Sequence, residues 1–246
     1  MGAYDPFGHF NLETHGVASC LMNKLNVRAL RSSFLGTMTL AALLLVPAGT
    51  IDYWQAWLFM GVFVGASGAI TLYLAMKDPA LLERRMNAGP MAEKEPTQKL
   101  VMFFALIGFI ALLVFPALDH RLGWSPLPPY ISLAGDALVA LGFLLVFKVL
   151  KVNSYSASTI QVVVGQELIS TGPYALVRHP MYAGALPLLV GVPLALGSLW
   201  GLLVLILIIP ALIWRLLDEE KFLHKNLRGY AEYCQKVRYR LLPFIW

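Results

Sequence analysis

The feature of this sequence that most constrains its fold is a series of long runs almost free of charge. They cover residues 34–51, 53–76, 100–118, 130–147 and 181–214, and Asp136 is the one acid inside them. A helix of about 20 apolar residues crosses the ~30 Å hydrocarbon core of a bilayer. Only 13% of the residues are charged, against roughly a quarter in soluble domains. The chain is therefore predicted to be an all-α integral membrane protein.

The lengths of these runs predict about six transmembrane helices. Each of the first four runs is long enough for one span. The fifth has 34 residues, and as a single helix it would measure roughly 51 Å, far more than the ~30 Å core. We expect it to fold back at Gly197 and Ser198 into a helical hairpin, which supplies the last two spans.

This pattern divides the chain into three parts. The predicted parts are a cytoplasmic N-terminal tail at 1–32, four transmembrane helices at 33–147, and a catalytic, cofactor-binding region at 148–246 that contains the hairpin 181–214 and a C-terminal amphipathic helix. The tail has no apolar core before a small-residue cleavage site, so no signal peptide is expected, and a short interfacial helix is predicted near 20–30. The β-branched segment 159–164 favours a short extended segment or hairpin that ends at Gly165.

The distribution of positive charge predicts the orientation of the spans. With six spans and a cytoplasmic N-terminus, 18 of the 19 Lys and Arg residues lie on the cytoplasmic side, and only Arg121 lies outside. Positive residues concentrate in cytoplasmic loops of membrane proteins. Both termini are therefore predicted to be cytoplasmic, and the net charge of +5 requires no nucleic acid partner. The two cysteines, Cys20 and Cys234, fall on the reducing side, so no disulfide is expected.

A polar stretch before the last hairpin, 171–184 (TGPYALVRHPMYAG), carries the strongest chemical signal. The stretch contains four side chains that can donate hydrogen bonds to an anion: Tyr174, Arg178, His179 and Tyr182. The alternative is an interfacial anchor, because such side chains also settle at the headgroup level. Asp136 has two interpretations as well, as a packing or near-surface residue or as a substrate contact.

The two ends of a helical hairpin lie close together, which places a second polar group beside this stretch. A helix that leaves the membrane is predicted from Arg215 to Cys234, with Gly229 weakening or ending it. Arg215 and Glu219 are four residues apart and share one face of this helix. His179 and Glu219 are therefore predicted to belong to one site. The alternative for Arg215 and Glu219 is an exposed ion pair worth a few tenths of a kcal/mol.

Residues 153–246 resemble the isoprenylcysteine carboxyl methyltransferase family, which is related to membrane phospholipid methyltransferases. The resemblance is carried by GPYALVRHPMYAG at 172–184, DEEKFL at 218–223 and GYAEYCQKVRYRLLPFIW at 229–246. It implies an integral membrane enzyme that transfers a methyl group from S-adenosyl-L-methionine. Two departures bear on a protein substrate more than on the cofactor: Gln166 replaces the usual histidine, and 154–157 replaces the eukaryotic Asn-Phe-Asn-His segment.

The resemblance also implies roles for particular residues. The cofactor-binding set is Gln166, Glu167, Leu168, Ile169, Tyr174, His179, Pro180, Met181, Tyr182 and Glu219. Arg215 matches the arginine that faces the substrate carboxylate, and Gln161 matches a further cofactor contact. No metal-ligand pattern is present.

The chemistry of these residues agrees with the implied reaction. His179 and a tyrosine hydroxyl can bind the carboxylate of the zwitterionic cofactor, and Glu219 can bind an ammonium or a ribose hydroxyl. A carboxylate acceptor is ionised at neutral pH and needs no general base. Arg215 would hold such an acid and repel an ammonium, which favours an acid over an amine, although Arg215 could also hold a phosphate.

Several interpretations of the function stay open at this point. The expected reaction is methyl esterification of a lipophilic, isoprenylcysteine-type acid, with a lipophilic or lipidated molecule and membrane lipids as partners. The alternatives are a phospholipid or amine N-methyltransferase, an NADPH-dependent enzyme of the sterol-reductase type, and a non-enzymatic membrane protein or transporter. The acceptor classes that fit are a small lipidated thiol acid, a prenylated protein C-terminus, a phospholipid and another hydrophobic acid.

Overall fold

The computed structural model describes the backbone of residues 8–93, 95–163 and 165–246 and, within these ranges, the side chains from Lys24 onward. This part of the chain folds into helices, and it contains no strand. The helices are α1 (Gly8–Ala48), α2 (Trp54–Lys77), α3 (Pro79–Met86), α4 (Pro96–Leu122), α5 (Pro129–Val152), α6 (Pro180–Ala195), α7 (Leu205–Asn226) and α8 (Tyr230–Lys236). Short 3₁₀ turns cover Pro90–Ala92, Gly172–Ala175 and Trp200–Val204.

Among the described residues, five helical segments are long and apolar enough to cross a membrane. They are Lys24–Ala48, Trp54–Lys77, Pro96–Leu122, Pro129–Val152 and Trp200–Asn226. α6 is also apolar but has only 16 residues, or about 24 Å. The predicted all-α integral membrane fold is confirmed. Of the six expected spans, five have the length for a full crossing, and α6 is the short one.

The N-terminal region differs from its prediction. Instead of a separate tail and a short interfacial helix, α1 is one continuous helix of 41 residues that begins at Gly8. Its one internal proline is Pro47, next to its end. Without an earlier helix breaker, extending a nucleated helix costs little, so the membrane span continues into the polar residues before it. The first seven residues of the predicted tail lie outside the described residues.

α5 and α6 form the closest helix pair in the bundle, because glycines face each other between them. A Cβ on Gly135 would lie 2.1 Å from the backbone nitrogen of Ala195, and one on Gly191 would lie 2.7 Å from the carbonyl oxygen of Gly135. Gly142 and Gly184 leave similarly little room. Small residues of this kind let helices in a membrane approach closely, where packing drives their association.

The hairpin turns where the sequence predicted. α6 ends at Ala195, and Gly197 adopts a positive φ of 75°. Asp119 of α4 fixes the turn by accepting hydrogen bonds from the hydroxyls of Ser198 and Ser125, and the Tyr53 hydroxyl donates to the carbonyl of Leu196 at 2.7 Å. The buried polar groups of the turn are thereby satisfied by side chains of neighbouring helices.

Asp136 lies inside the bundle, with 6% of its surface exposed, which excludes the near-surface interpretation. Neither of its carboxylate oxygens has a hydrogen-bond partner among the described residues. It precedes Asn153, at the end of α5, by 17 positions, or about 25 Å along the helix. Asp136 therefore lies far from the site described below.

The extended segment expected at 159–164 does not form a strand within its described residues. Its backbone groups instead bind side chains: the N–H of Ile160 donates to Glu93 at 3.4 Å, and the N–H of Val163 donates to the Gln166 side chain at 3.0 Å. β-branched residues favour a strand only where a second strand pairs with them. The predicted break is present, since Gly165 has a positive φ of 77°.

The C-terminal region returns to the start of α6. The helix predicted from Arg215 onward is the last part of α7, which ends at Asn226, and Gly229 separates it from α8 with a φ of 82°. After α8, the carbonyls of Tyr239 and Arg240 accept hydrogen bonds from the N–H groups of Arg178 and His179, each at 2.9 Å. The C-terminal segment therefore holds the polar stretch before α6 in place.

Candidate active site

A cavity of about 390 Å³ lies where the first turn of α6, the polar part of α7, α8 and the irregular segment after α5 meet. The residues assigned by the resemblance all line it: Gln166, Glu167, Leu168, Ile169, Tyr174, His179, Pro180, Met181, Tyr182, Arg215 and Glu219. Gln161 lines it as well. The fold thus brings together residues from two segments that lie about 40 positions apart in the sequence.

His179 stands at the N-terminus of α6 and is 4% exposed. Burial inside the protein excludes an anchor role at the lipid headgroups for this side chain. Its Nε2 lies 3.3 Å from Oε1 of Glu220. His179 and Glu219, which were predicted to belong to one site, both line the cavity. Only Nδ1 of the ring is then available to a ligand.

Glu220 is a site residue that the sequence reasoning missed. Besides His179, its carboxylate binds Arg178 Nη1 at 3.1 Å and Arg240 Nε at 2.9 Å. A buried carboxylate of this kind is stable only when it is paired and hydrogen-bonded. It ties α7 to the polar stretch and to the C-terminal segment. The available signal was the run of three adjacent acids in DEEKFL, because a helix with about 3.6 residues per turn cannot present all of them to one side.

Glu219 contacts Tyr182, so the two ends of the hairpin lie close together, as predicted. The Tyr182 hydroxyl donates to Oε2 of Glu219 at 2.6 Å. Tyr182 follows His179 by three residues, and the two rings lie 5.8 Å apart on the same side of α6. One oxygen of the Glu219 carboxylate has no further hydrogen-bond donor among the described residues, so it is open to a ligand.

Arg215 does not pair with Glu219. Its Nη2 donates to Glu93 at 2.7 Å and to the carbonyl of Ser158 at 2.9 Å, and its Nη1 donates to Gln98 at 3.2 Å. The alternative interpretation of Arg215 and Glu219 as an exposed ion pair is therefore excluded. Glu93 and Gln98 precede Arg215 by more than a hundred residues, and no spacing in the sequence could have indicated this contact.

Tyr174 lies on the wall of the cavity next to the end of α5. Asn153 donates to its hydroxyl oxygen at 2.7 Å, and Tyr233 of α8 donates to its carbonyl at 2.7 Å. Burial raises the pKa of Tyr174 to about 12, so the hydroxyl keeps its proton at neutral pH. Because Asn153 already fills one acceptor position, the proton of Tyr174 is available to a ligand oxygen.

The segment 166–169 closes the cavity from the side of α8. Leu168 packs against the cluster of Leu227, Tyr230 and Tyr233, while Glu167 is exposed. The cavity therefore has an apolar wall here and polar groups on the opposite side at Glu219 and Arg215. Within the described residues, no group of three or more His, Cys, Asp and Glu side chains could hold a metal ion.

Comparison with known proteins now adds to this geometry. Residues 130–229 match the family model described as phospholipid methyltransferase. The chain is also similar to a Delta(14)-sterol reductase from Mus musculus, with 32% identity over 91 residues, which are 36% of this chain and 22% of the reductase. The chain thus covers only about a fifth of that relative.

The family match includes most of the residues that line the cavity and leaves out the helices α1 to α4. The relationship suspected from the motif is confirmed for this part of the chain. Residues 130–229 match the phospholipid methyltransferase family, which includes the isoprenylcysteine carboxyl methyltransferases.

Proposed function

We propose that this protein is a membrane methyltransferase that uses S-adenosyl-L-methionine to esterify a lipophilic carboxylic acid of the isoprenylcysteine type. The observation that carries the proposal is the cavity itself: every residue assigned by the resemblance lines it. The match of residues 130–229 to a methyltransferase family supports the same reaction class. The finer assignment of the acceptor rests on the resemblance and on Arg215.

The side chains around the cavity fit the chemistry of the implied cofactor. S-adenosyl-L-methionine, when bound, supplies an electrophilic methyl group. Glu219 has an open carboxylate oxygen for an ammonium or a ribose hydroxyl, and the protonated hydroxyl of Tyr174 can donate to a carboxylate. Leu168 and Met181 give an apolar surface for the flat base. The cofactor would thus lie between the 166–169 segment and α7.

Arg215 is placed to hold an acceptor carboxylate. A guanidinium has five N–H donors, and Arg215 uses three of them on Glu93, Gln98 and Ser158. The Tyr182 hydroxyl also lies within hydrogen-bonding range of Arg215, and a remaining donor would bind an acceptor oxygen without displacing Glu93. Since the acid is ionised at neutral pH, the protein needs no general base, and its task is to align the acceptor and exclude water.

The position of the cavity suits a lipophilic acceptor. The cavity opens at the end of the bundle where α5 ends and α6 begins, and both helices are apolar along their length. A molecule with a hydrocarbon tail could keep the tail in the bilayer and place its polar head at Arg215. We further propose, from the distribution of basic residues, that this end faces the cytoplasm and that both termini lie there.

Transfer of labelled methyl from S-adenosyl-L-methionine into a membrane extract tests this function. Purified protein in lipid nanodiscs should transfer label to a lipophilic product, and mild base should release it as methanol, because esters hydrolyse and N-methyl groups do not. A base-stable label would instead favour the N-methyltransferase alternative. That alternative is supported by the pairing of Arg215 with Glu93, which offsets the charge that would repel an ammonium.

A second candidate is supported by the similarity to the sterol reductase. An enzyme of that type would bind NADPH in place of S-adenosyl-L-methionine. Thermal unfolding of the purified protein distinguishes the two, because a ligand stabilises the state that it binds. We expect S-adenosylhomocysteine to raise the unfolding temperature and NADPH to leave it unchanged. The reverse result would favour the reductase.

A further inference from the structure

Most charged side chains around the cavity are hydrogen-bonded or ion-paired within the described residues, and the exposed Glu167 is the anion that is not. Arg215 binds Glu93 at 2.7 Å, Arg178 binds Glu220 at 3.1 Å, and Glu219 accepts from Tyr182 at 2.6 Å. One cation remains. Arg85 also lines the cavity, and its guanidinium has no hydrogen bond or ion pair with any residue that the structure describes. None of its nitrogens is among the fully enclosed, unpartnered atoms, so the group has access to open space.

Arg85 is held firmly against the cavity wall. It belongs to α3, whose Leu81 and Leu82 are buried in a cluster with Leu74 and Leu150. The carbonyl of Arg85 accepts a hydrogen bond from the Ser158 hydroxyl at 2.9 Å, and the preceding Arg84 donates to the carbonyl of Ser154 at 2.6 Å. α3 is thereby fixed to the segment after α5. These contacts fix the backbone of Arg85 at the wall of the cavity, and its side chain lines the interior.

The electrostatic surroundings of Arg85 are those of a cation without a counter-charge. Burial lowers the pKa of its guanidinium, and the nearest titratable influence in the opposite direction is Tyr174. Tyr174 is a neutral phenol, since its pKa is raised to about 12. A half-buried guanidinium with only a neutral neighbour costs free energy, and an anionic ligand would remove that cost.

We propose that Arg85 is an anion-binding residue of this cavity and that, with the hydroxyl of Tyr174, it holds the carboxylate at the amino-acid end of the cofactor. The proposal deepens the proposed function and rests on it. Tyr174 belongs to the cofactor set, whereas Arg215 is assigned to the acceptor and donates to the carbonyl of Ser158. The acceptor and cofactor carboxylates would then have separate arginines.

This assignment extends the site beyond the matched region. Arg85 lies in α3, the short helix between α2 and α4, and therefore outside residues 130–229. In this assignment His179 is not the main partner of the cofactor carboxylate, because its Nε2 binds Glu220. A planar guanidinium can bind a carboxylate through two parallel hydrogen bonds, which a histidine cannot do.

Calorimetric titration of two ligands into the purified protein tests the proposal. S-adenosylhomocysteine carries the amino-acid end, and 5′-methylthioadenosine keeps the adenosine but lacks that end. We expect Arg85→Gln to weaken the binding of S-adenosylhomocysteine by about ten- to a hundredfold and to leave that of 5′-methylthioadenosine unchanged. Arg85→Lys should recover part of the loss, because it keeps the charge but not the planar fork. Arg31→Gln, an exposed arginine of α1, is the matched control and should change neither.

The outcomes separate this proposal from the proposed function. If the wild-type protein binds S-adenosylhomocysteine and Arg85→Gln binds it equally well, the role of Arg85 is refuted while methyl transfer stands. Equal losses for both ligands would show a structural role only and would also refute it. If the wild-type protein binds no S-adenosylhomocysteine at all, the proposed function itself fails and the role of Arg85 with it.

Discussion

At the scale of single residues, the site consists of three groups with different tasks. Glu220 ties α7 to the polar stretch and the C-terminal segment, Glu219 presents an open oxygen to the cavity, and Arg215 pairs with Glu93. By the proposed function, adjacent acids on one helix serve different purposes: one is structural and the other would face the ligand. This division leads to distinct expectations for substitutions at neighbouring positions.

His179→Ala should weaken the binding of S-adenosylhomocysteine while the protein stays folded. Glu220 keeps Arg178 and Arg240 as partners, so the buried carboxylate is not left alone. The loss of a hydrogen bond between Nδ1 and a charged group of the ligand costs about 1.5–3 kcal/mol, or roughly ten- to a hundredfold in affinity. Calorimetry measures it, with His224→Ala on the exposed side of α7 as the control. An unchanged affinity would show that His179 contacts Glu220 but does not bind the ligand.

Arg215→Lys and Glu219→Gln should impair different ligands. Lys can still pair with Glu93 but cannot reproduce the fork, so the Michaelis constant of the acceptor should rise or turnover should fall, with cofactor affinity nearly intact. Glu219→Gln removes a negative charge from the cavity, so cofactor affinity should fall first. Initial rates at varied acceptor and calorimetry with S-adenosylhomocysteine separate the effects. Small and equal effects of both substitutions on both ligands would contradict the assignment.

At the scale of helices, the pair α5–α6 gives the site its rigid base. α6 starts at the site with His179 and packs along α5, which ends at Asn153 beside Tyr174. The glycines between these helices allow the close approach, and they fix where the first turn of α6 lies. Their substitution therefore tests the packing and the site together.

Gly135→Ala should destabilise the protein. The added Cβ would meet the backbone of Ala195 at 2.1 Å, and backbone cannot move aside as a flexible side chain can. Overpacking of this kind costs about 1–3 kcal/mol. Thermal unfolding in detergent measures it, with Gly61→Ala of α2 as the matched control, because no atom lies within 4 Å of a Cβ there. Equal unfolding temperatures for the two variants would contradict the observed approach of α5 and α6.

Much of this helical architecture was predictable, because helix spans, turns and breaks depend on the local sequence. The signals were the uncharged runs, the Gly-Ser pair at 197–198 and Gly229. The predicted turn at Gly197 and the break at Gly229 are both observed. The pairing of Arg215 with Glu93 was not predictable, since it depends on how the loop before α4 packs against α7. The described part of the predicted segment 159–164 forms no strand for a related reason: its backbone N–H groups donate to the side chains of Glu93 and of the nearby Gln166.

At the scale of the whole molecule, the predicted topology places the site and almost all basic residues at the same end of the bundle. Both termini are expected on the cytoplasmic side, because 18 of the 19 Lys and Arg residues then face the cytoplasm. Protease accessibility of N- and C-terminal tags in sealed vesicles of known orientation tests this. Cleavage of either tag from the external side of right-side-out vesicles would contradict the predicted orientation.

The central claim is that the cavity between α6, α7 and α8 binds S-adenosyl-L-methionine. Ultraviolet cross-linking of methyl-labelled S-adenosyl-L-methionine to the purified protein, followed by peptide mapping, tests it most directly. The account predicts label on peptides that contain residues 166–182 or 215–233, and its loss in the presence of excess S-adenosylhomocysteine but not of NADPH. Label elsewhere in the chain, or competition by NADPH alone, would contradict it.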